Sequence, residues 1–599
     1  MPLITKSKTA EDALPLPPTL KSVPFLRDAP PKALKAAENE TRYFSLPGGW
    51  ELFGIGEPSD TIYFVLSGSL GAFRKSLDGK MELVGHIRPG EPVGEMSMIA
   101  GEAHEHAVYA LRDTELLSIS RHGFMTLVRS DPRILEKITR VIMVRMRQAR
   151  KKVSRGSEPR VFGLLATSPT IDLKLRGRQL AASLQSMGLR VAIVGEEAVG
   201  MPANYFDELE TRNDIVLLLA TIGDSAWFKL TQRHSDRIWV FARADARPSS
   251  PLLPDDPSPA RQFRLVDVVL LHHGAERPGA TTSEWQRAAD AARTFHWQGT
   301  DDADCRRLAR VMSGKSVGLV FSGGGARAYA HIGVIKALRE ANCPIDFVGG
   351  SSMGAIVGAG LACGWPDDEL EWRIRKAFVE SNPLSDYRLP VVALVKGHKV
   401  DARLKEHFGE RLIEDLPLPF FAVSTNLTQG TFQVHTQGLL REAMRATISL
   451  PGILPPVVSA DRQVLVDGAV LNNFPVDVMR DVHRGRIIGV DVAQAPEALS
   501  ADEFINPPGF FGWTAAHGFR SAPPIANLLM RAATVSVNPN AHRGLTDILI
   551  APELEGIELR DWRDYEKAVE AGYEMMKQAL AELKGPLAAI IRGNAAAAD

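Results

Sequence analysis

The stretch GLVFSGGGARAYAHIGVIKALREANCPIDFVGGSSMG, residues 318–354, carries two glycine clusters, and each lies where an apolar strand should turn into a helix. The first cluster, Gly323–Gly325, follows a predicted strand and precedes a helix predicted from about Tyr329. Together with Ala328 it fits the G-x-G-x-x-G/A pattern of dinucleotide-binding turns. A dinucleotide site also needs an acidic residue at the end of the next strand, where this sequence has Gly-Ser-Ser. We therefore do not favour a dinucleotide site.

The second cluster predicts a catalytic nucleophile. Gly350, Ser351, Ser352, Met353 and Gly354 form the G-x-S-x-G pattern of a nucleophile elbow. Glycines flank the serine because the turn is too sharp for neighbouring Cβ atoms. The turn would place the Ser352 hydroxyl at a helix N-terminus, where backbone N–H groups and the helix dipole favour an oxyanion.

The two clusters together predict a hydrolytic site. If their strands are parallel neighbours, the first cluster lies beside the elbow. The N–H groups of Gly324, Gly325 and Ala326 can then face the oxyanion of a tetrahedral intermediate. One turn would hold the nucleophile, and the other would stabilise the negative charge that the nucleophile creates.

A serine nucleophile needs a proton acceptor, and Asp467 is the candidate. Asp467, Gly468 and Ala469 follow another apolar strand, and the glycine lets the chain turn at once. The carboxylate would lie at a strand end, where catalytic groups gather in α/β sheets. It can accept the Ser352 proton directly if its surroundings keep it close and partly desolvated.

The alternative is an α/β-hydrolase triad, with serine, acid and histidine in that chain order. His483, His517 and His542 follow the acid, but none stands in a clear strand-to-loop context. We expect His331 to be packed or capping on the helix after the first cluster, and His435 to lie in a strand. We favour the dyad.

The composition limits the classes of function. The chain has 599 residues, enough for two to four domains, and a formal net charge of -1, which gives no general attraction to nucleic acid. Its three cysteines are too few and too scattered for a disulfide framework or a zinc site, and we expect no metal site and no cofactor. We see neither a secretory signal nor a membrane span, so we expect a cytoplasmic protein that contacts membranes at most peripherally.

An N-terminal segment, residues 1–20, is Pro-rich and expected to be disordered, and residues 21–155 predict a β-roll followed by helices. Strand-sized apolar runs alternate with turn signals such as Pro47-Gly48-Gly49, a spacing typical of an antiparallel jelly roll. This segment resembles the cyclic-nucleotide-binding domains through LFGIGEPSDTIYFVLSGSL (52–70) and GEPVGEMSMIAGE (90–102). The resemblance implies that Gly94 and Glu95 open a phosphate-binding cassette in which Glu95 holds the ribose hydroxyl.

The far end of that cassette departs from the family pattern. His104 and Ala107 stand where the family has an arginine and a small hydroxyl residue against the cyclic phosphate. Without a guanidinium, the cassette loses its bidentate phosphate contact and most of its anion-binding chemistry. We therefore favour a docking module over a sensor of cyclic nucleotides.

Residues 158–300 predict a Rossmann-like α/β region. The continuous apolar runs VFGLLAT, RVAIVG, DIVLLLAT, RIWVFAR and VDVVLLHH are typical of strands buried on both faces, and helical stretches alternate with them. The loop after the first run, ATSPTIDLKLRGRQ, lacks the glycines and the Gly-Lys-Ser/Thr that cradle phosphates. We expect this region to be a structural spacer.

From about Val317 to Val492 the chain resembles the patatin-like phospholipases, in particular their neuropathy-target-esterase branch. The matching motifs are GGGARAYAHIGV, GGSSMG, FFAVSTNLTQG, ATISLPGILPPV and LVDGAVLNNFPVDV. The resemblance implies a catalytic α/β domain over 315–500, completed by 501–599, with a Ser352–Asp467 dyad. It also implies an oxyanion hole formed by Gly323, Gly324, Gly325, Ala326 and Arg327. The chain departs from the pattern at Ala328 and Ala469, where glycine is common.

The resemblance implies a serine esterase that cleaves phospholipids or lysophospholipids through an acyl-enzyme, with an N-terminal regulatory or docking module. The alternative is a cyclic-nucleotide-responsive binding protein with an inactive hydrolase domain. The dyad residues are present and the cassette is altered, so we favour the enzyme. The aromatic stretch INPPGFFGWTAAHGF (505–519) predicts either a lipid-contacting lid or a cover for the domain core.

Overall fold

The computed structural model describes residues 20–23, 26–75, 81–150, 159–201, 204–253, 266–274, 279–299, 302–381, 383–387, 392–483, 485–493, 512, 542–557, 564–585 and 587–591. Their strands form a pair of antiparallel sheets, then a parallel sheet, then a larger mixed sheet. The predicted multidomain architecture is thereby confirmed. The aromatic stretch 505–519 lies outside the described residues except for Gly512.

The N-terminal region is a jelly roll. Its strands are β1 (Thr41–Leu46), β2 (Glu51–Phe53), β3 (Thr61–Ser67), β4 (Leu70–Lys75), β5 (Met81–Ile87), β6 (Pro92–Val93), β7 (Ala107–Ala110) and β8 (Thr114–Ser120). Its helices are α1 (Pro31–Ala37), α2 (Glu95–Ala100), α3 (Arg121–Ser130) and α4 (Arg133–Arg150). The two sheets have the orders β1-β8-β3-β6 and β2-β7-β4-β5. Alternating apolar residues such as Ile62 and Phe64 are fully buried, as expected for strands with one face on a core.

The middle region is a parallel α/β sheet. Its strands are β9 (Val161–Ala166), β10 (Val191–Val194), β11 (Ile215–Thr221), β12 (Arg237–Arg243), β13 (Val266–His272) and β14 (Arg293–Gln298). Its helices are α5 (Leu173–Ser186), α6 (Asn204–Arg212), α7 (Ala226–His234), α8 (Thr282–Ala289) and α9 (Asp302–Met312). The order is β10-β11-β9-β12-β13-β14. The dinucleotide-binding order has the second strand beside the first, whereas here the third, β11, pairs with β9.

The C-terminal region carries the candidate site. Its strands are β15 (Val317–Phe321), β16 (Phe347–Ser351), β17 (Phe420–Asn426), β18 (Thr431–His435), β19 (Val457–Val458), β20 (Val464–Asp467), β21 (Arg486–Val490) and β22 (Ile548–Ile550). Its helices are α10 (Ala330–Glu340), α11 (Ser352–Ala362), α12 (Asp367–Ile374), α13 (His398–Phe408), α14 (Leu440–Thr447), α15 (Val476–Val482) and α16 (Tyr565–Glu582), with a π-helix at Arg375–Glu380.

The sheet order is β19-β20-β17-β16-β15-β21-β22, with β18 also paired to β17. Strands β17, β16, β15, β21 and β22 are parallel, and β18 and β20 are antiparallel to β17. Phe321 pairs with Gly350 at the ends of β15 and β16. The two glycine turns therefore lie side by side at the carboxyl edge of the sheet.

Two glycines let helix α16 pack directly on α10. A Cβ atom on Gly333 would lie 1.9 Å from the Val569 carbonyl oxygen, and one on Gly572 would lie 2.0 Å from the Ala330 carbonyl oxygen. The two backbones therefore touch, which only glycine permits. Helix α10 follows the first glycine turn, so this contact supports one side of the candidate site.

The middle and C-terminal regions share one hydrophobic core. Phe162 and Trp239 belong to the same buried cluster as Phe347 and Phe421 of the larger sheet. Buried ion pairs accompany this joint, including Arg310 to Asp346 at 2.7 Å. The middle region therefore packs against the face of the larger sheet that lies opposite helix α11.

Candidate active site

Ser352 occupies a strained turn at the start of α11. Its φ of +52° lies in the left-handed region, which is unfavourable for a residue with a side chain. The flanking glycines are required by close approach: a Cβ on Gly354 would lie 2.3 Å from the Ser322 carbonyl oxygen, and one on Gly350 would lie 2.9 Å from the Ala355 nitrogen. The serine is 6% exposed, so its hydroxyl lies just beneath the surface.

Asp467 lies against this hydroxyl. Ser352 Oγ donates a hydrogen bond to Asp467 Oδ2 at 2.8 Å. The carboxylate reaches this position from β20, an antiparallel strand whose last residue pairs with Ser424 of β17. Asp467 is the last residue of β20, as its place after an apolar run predicted, and the structure adds that this strand is antiparallel to β17.

The Asp467 carboxyl group is fully buried. Burial raises its pKa from the ordinary 3.8 to about 7, although hydrogen bonds from the Ala469 N–H (to Oδ1, 2.9 Å) and the Ser352 hydroxyl act in the opposite direction. Gly468 is needed beside it because a Cβ there would lie 2.3 Å from both Ser351 Oγ and the Val423 carbonyl oxygen. The turn after β20 thus packs closely against the elbow and keeps the Asp467 carboxyl group beside Ser352.

Two residues at and just after the end of helix α14 hydrogen-bond to the backbones of the two candidate catalytic residues. The sequence did not predict these contacts. The Ser352 N–H donates to Thr447 Oγ1 at 2.9 Å, and that hydroxyl donates to the Val423 carbonyl oxygen. Two residues later, the Ser449 carbonyl oxygen accepts from the Asp467 N–H at 2.9 Å. The signal was present in the motif ATISLPGILPPV, which contains both hydroxyl residues.

The first glycine turn faces the elbow. A Cβ on Gly323 would lie 2.8 Å from Ser352 Cβ and 2.5 Å from Asn473 Oδ1, so no side chain fits there. Asn473 anchors the turn, because its backbone oxygen accepts from the Gly323 N–H and its Nδ2 donates to the Gly323 oxygen, both at 3.1 Å. Asn473 lies within the motif LVDGAVLNNFPVDV, but the sequence alone gave no sign of this role.

The remaining residues assigned to the oxyanion hole divide into two groups. Gly324 precedes a short 3-10 helix, residues 325–329, that contains Gly325 (φ +55°) and the buried Ala326. Arg327 already has partners, because its Nε donates to the Ile557 carbonyl oxygen at 2.7 Å and its backbone N–H donates to the Gly324 carbonyl oxygen at 3.1 Å. The backbone N–H of Arg327 is therefore already paired, which does not favour Arg327 as an oxyanion donor.

The histidines of the alternative triad have other partners. His483 lies at the amino-terminal ends of the parallel strands, away from the elbow. There it stacks on Phe347 and contacts Ser316, the residue before β15. His542 Nδ1 contacts the Phe474 carbonyl oxygen at 2.9 Å. His517 lies outside the described residues.

Of the two histidines expected to be structural, His331 is fully buried and His435 is partly buried. His331 Nε2 bonds to the Ser322 carbonyl oxygen at 2.9 Å, and His435 Nε2 bonds to Ser424 Oγ at 2.7 Å. Burial lowers the pKa of each to about 4, so both rings are neutral near pH 7. Neither ring hydrogen-bonds to the dyad within the described part of the chain.

Of the four cassette positions of the jelly roll, Gly94, Glu95 and His104 lie together. Gly94 has a φ of +82° and precedes α2, whose first residue, Glu95, is buried. The His104 ring lies beside Gly94 and stacks on Phe53 with ring centroids 3.7 Å apart. Burial lowers the pKa of His104, which disfavours a positive charge there. Ala107 is buried at the start of β7.

Two family models match the chain. A patatin-like phospholipase model matches residues 319–480, and a cyclic nucleotide-binding domain model matches residues 44–131. An uncharacterized NTE family protein of Mycobacterium tuberculosis is 31% identical over 94% of this chain and 96% of its own length. The chain belongs to the NTE family. This membership confirms the resemblance drawn from the motifs, and with the patatin match it makes the chain a lipid ester hydrolase.

Other relatives of this NTE-family chain differ in length. A lysophospholipase of Aspergillus niger is 26% identical over 92% of this chain, but the match spans only 42% of that protein. Among solved structures, the catabolite activator protein of Thermus thermophilus matches 28% of this chain at 22% identity, with a TM-score of 0.20. Among the described helices, none combines the length and apolar character needed to cross a bilayer.

Proposed function

We propose that this chain is a serine lysophospholipase or phospholipase in which Ser352 is the nucleophile and Asp467 is its proton acceptor. The hydrogen bond of 2.8 Å between Ser352 Oγ and Asp467 Oδ2 carries the proposal. Its setting adds support, because the serine begins a helix beside a glycine turn and the acid is fully buried.

The mechanism is a two-step acyl transfer. Ser352 Oγ attacks the ester carbonyl carbon while its proton passes to Asp467, and the N–H groups of Gly324 and Gly325 stabilise the oxyanion. The proton then moves from Asp467 to the departing alcohol oxygen, which leaves an acyl group on Ser352. Water attacks the carbonyl carbon of this acyl-enzyme and gives a proton to Asp467, which passes it to Ser352 Oγ as the bond to the acyl group breaks and the fatty acid is released.

The environment of Asp467 suits both halves of this cycle. A base works best when its pKa lies near the working pH, because it must accept a proton in one step and return it in the next. Burial raises the Asp467 pKa to about 7, whereas an exposed aspartate would be too weak a base to deprotonate a serine.

We assign Thr447 the role of a positioning residue. A left-handed backbone at a non-glycine residue costs of order 1–3 kcal/mol and persists only where surrounding contacts enforce it. The bond from the Ser352 N–H to the fully buried Thr447 hydroxyl is such a contact. Thr447 touches no reacting atom, so it acts only through the conformation of the elbow.

Lysophospholipids are the favoured substrates, because the fungal relatives carry the name lysophospholipase. The test is fatty-acid release from lysophosphatidylcholine and from diacyl phosphatidylcholine, compared between wild type and Ser352→Ala. We expect wild type to hydrolyse the lysophospholipid faster and the variant to hydrolyse neither. Turnover that survives in Ser352→Ala would contradict the proposed site.

We propose that the jelly roll is a docking module without a cyclic nucleotide. Arg112, which follows β7, makes ion pairs with Glu210 at 2.6 Å and Asp236 at 3.0 Å in the middle region. It is 4% exposed, and a buried arginine of this kind ties the two regions together. We also propose that the jelly-roll region ends near residues 155–158, and that the middle region ends and the C-terminal region begins within residues 300–315.

A further inference from the structure

Asn473 fastens the first glycine turn to the segment that bears the acid. It bonds to both polar backbone groups of Gly323. The Gly323 N–H donates to the Asn473 carbonyl oxygen, and Asn473 Nδ2 donates to the Gly323 carbonyl oxygen, each at 3.1 Å. The Gly323 N–H is therefore already paired, and the donors proposed above, Gly324 and Gly325, follow directly after this double contact.

Gly323 is also the residue of the turn that lies closest against the nucleophile. A Cβ atom on Gly323 would lie 2.8 Å from Ser352 Cβ and 2.5 Å from Asn473 Oδ1. The preceding residue, Ser322, is tied to strand β21, because its N–H donates to the Val490 carbonyl oxygen at 3.0 Å. Asn473 thus holds the chain at the point where it leaves the sheet and begins the turn.

One short segment carries both Asp467 and Asn473. Strand β20 ends at Asp467, and the 3-10 helix Gly468–Val470 follows it. The Asn472 N–H donates to the Gly468 carbonyl oxygen at 2.8 Å, which folds the segment back on itself. Five residues separate the acid from Asn473. The positions of the acid and of the glycine turn are therefore linked through a compact piece of backbone.

Stability alone does not explain an amide side chain at position 473. The Oδ1 atom of Asn473 is buried and has no hydrogen-bond partner among the described residues. A buried acceptor without a partner costs free energy, so an apolar side chain would suit packing at least as well. What the amide adds is the bond from Nδ2 to the Gly323 carbonyl oxygen.

We propose that Asn473 is a positioning residue that holds the oxyanion-binding turn at its distance from Ser352. This inference rests on the proposed function, since it concerns the same hydrolytic site. Oxyanion donors must lie about 2.7–3.1 Å from the oxygen that becomes charged. A displacement of about 1 Å can lower the rate about 10²-fold. Asn473 makes no hydrogen bond to Ser352 or Asp467 in the described part of the chain, so it acts through Gly323.

The test compares substitutions at two neighbouring asparagines. Asn473→Ala removes the Nδ2 donor and leaves the backbone bond from the Gly323 N–H. Asn472→Ala is the matched control, because Asn472 Nδ2 donates to Asp477 Oδ1 at 2.9 Å and not to the glycine turn. Titration of active sites with a fluorophosphonate expresses every rate per competent site, so a smaller folded fraction does not affect the comparison.

Two assays measure catalysis and oxyanion stabilisation. Hydrolysis of p-nitrophenyl butyrate gives kcat and KM. Inhibition by an alkyl trifluoromethyl ketone reports the oxyanion directly. Ser352 Oγ adds to the carbonyl carbon of this ketone, its proton passes to Asp467, and the ketone oxygen becomes an oxyanion held by the turn.

We expect Asn473→Ala to lower kcat by about tenfold to 10²-fold with KM within about twofold of wild type, because the turn is needed mainly in the transition state. The ketone should inhibit this variant more weakly by a similar factor. Asn472→Ala should remain within about threefold of wild type in both assays.

Two results would overturn the inference. One is wild-type kcat or wild-type inhibition in Asn473→Ala, and the other is an equal loss in both asparagine variants, which would assign Asn473 to packing alone. Ser352→Ala separates this inference from the proposed function. A wrong dyad would leave Ser352→Ala active toward the soluble ester. A wrong role for Asn473 would leave Ser352→Ala inactive and Asn473→Ala unimpaired.

Discussion

Ser352 Oγ and Asp467 Oδ2 lie 2.8 Å apart, and within the described part of the chain no histidine ring hydrogen-bonds to either residue. Two residues at and just after the end of helix α14 hold the pair in place. Thr447 Oγ1 accepts from the Ser352 N–H, and the Ser449 carbonyl oxygen accepts from the Asp467 N–H. The proposed dyad is therefore already aligned, and burial of Asp467 raises the pKa of its carboxyl group.

The first prediction separates a dyad from a triad. Asp467→Asn should lower the turnover number for a soluble ester by at least about 10²-fold, because the amide cannot accept the Ser352 proton. His483→Gln should retain turnover within about threefold of wild type per folded molecule. His483 stacks on Phe347, at the amino-terminal end of β16 and away from the elbow. If His483→Gln were as inactive as Asp467→Asn, the dyad would be wrong.

The second prediction concerns the pH dependence of activity. Asp467 acts as a base only when ionised, and burial raises its pKa to about 7. The value of kcat/KM should therefore rise about tenfold per unit below that pH and level off above it. A profile that stays flat down to pH 5 would show that no group with a raised pKa serves as the base.

The same raised pKa affects stability, as a third prediction. Between about pH 4 and 7, folded Asp467 holds a proton that the unfolded chain has released, so its contribution to the free energy of unfolding falls as pH rises. Wild type should lose stability relative to Asp467→Asn across this range, by at most about 4 kcal/mol. Urea unfolding of both proteins at several pH values measures the difference, and parallel stabilities would contradict it.

The fourth prediction tests the positioning role of Thr447. Thr447→Val keeps the shape but removes the acceptor of the Ser352 N–H, and kcat should fall about tenfold with little change in KM. Thr447→Ser retains the hydroxyl and should restore most of that loss. Equal effects of the two substitutions would assign Thr447 to packing alone.

How far the sequence predicts this site depends on the range of the contacts. The elbow is a local pattern, since the sharp turn at Ser352 requires Gly350 and Gly354 whatever surrounds it. The direction of β20 depends on its pairing with β17, more than 30 residues away in sequence, and no periodicity reveals it. The position of Asp467 after an apolar strand was predictable, whereas the antiparallel pairing that brings it beside Ser352 appears only in the structure.

The jelly roll gives a second example. The alternation of apolar residues predicts strands such as β3 and β4, because one face of each must be buried. The stacking of His104 on Phe53 joins residues 51 positions apart and appears only in the folded chain. The sequence shows that His104 stands where the family has an arginine. It does not show that the His104 ring occupies the space beside Gly94.

The fifth prediction tests the central claim most directly, by mapping the residue that a fluorophosphonate labels. The probe reacts with an activated serine hydroxyl, and digestion followed by mass spectrometry locates the adduct. We expect one adduct, on the peptide that contains Ser352, and no adduct in Ser352→Ala. An adduct on the neighbouring Ser351, or labelling that persists in Ser352→Ala, would contradict the account of the site.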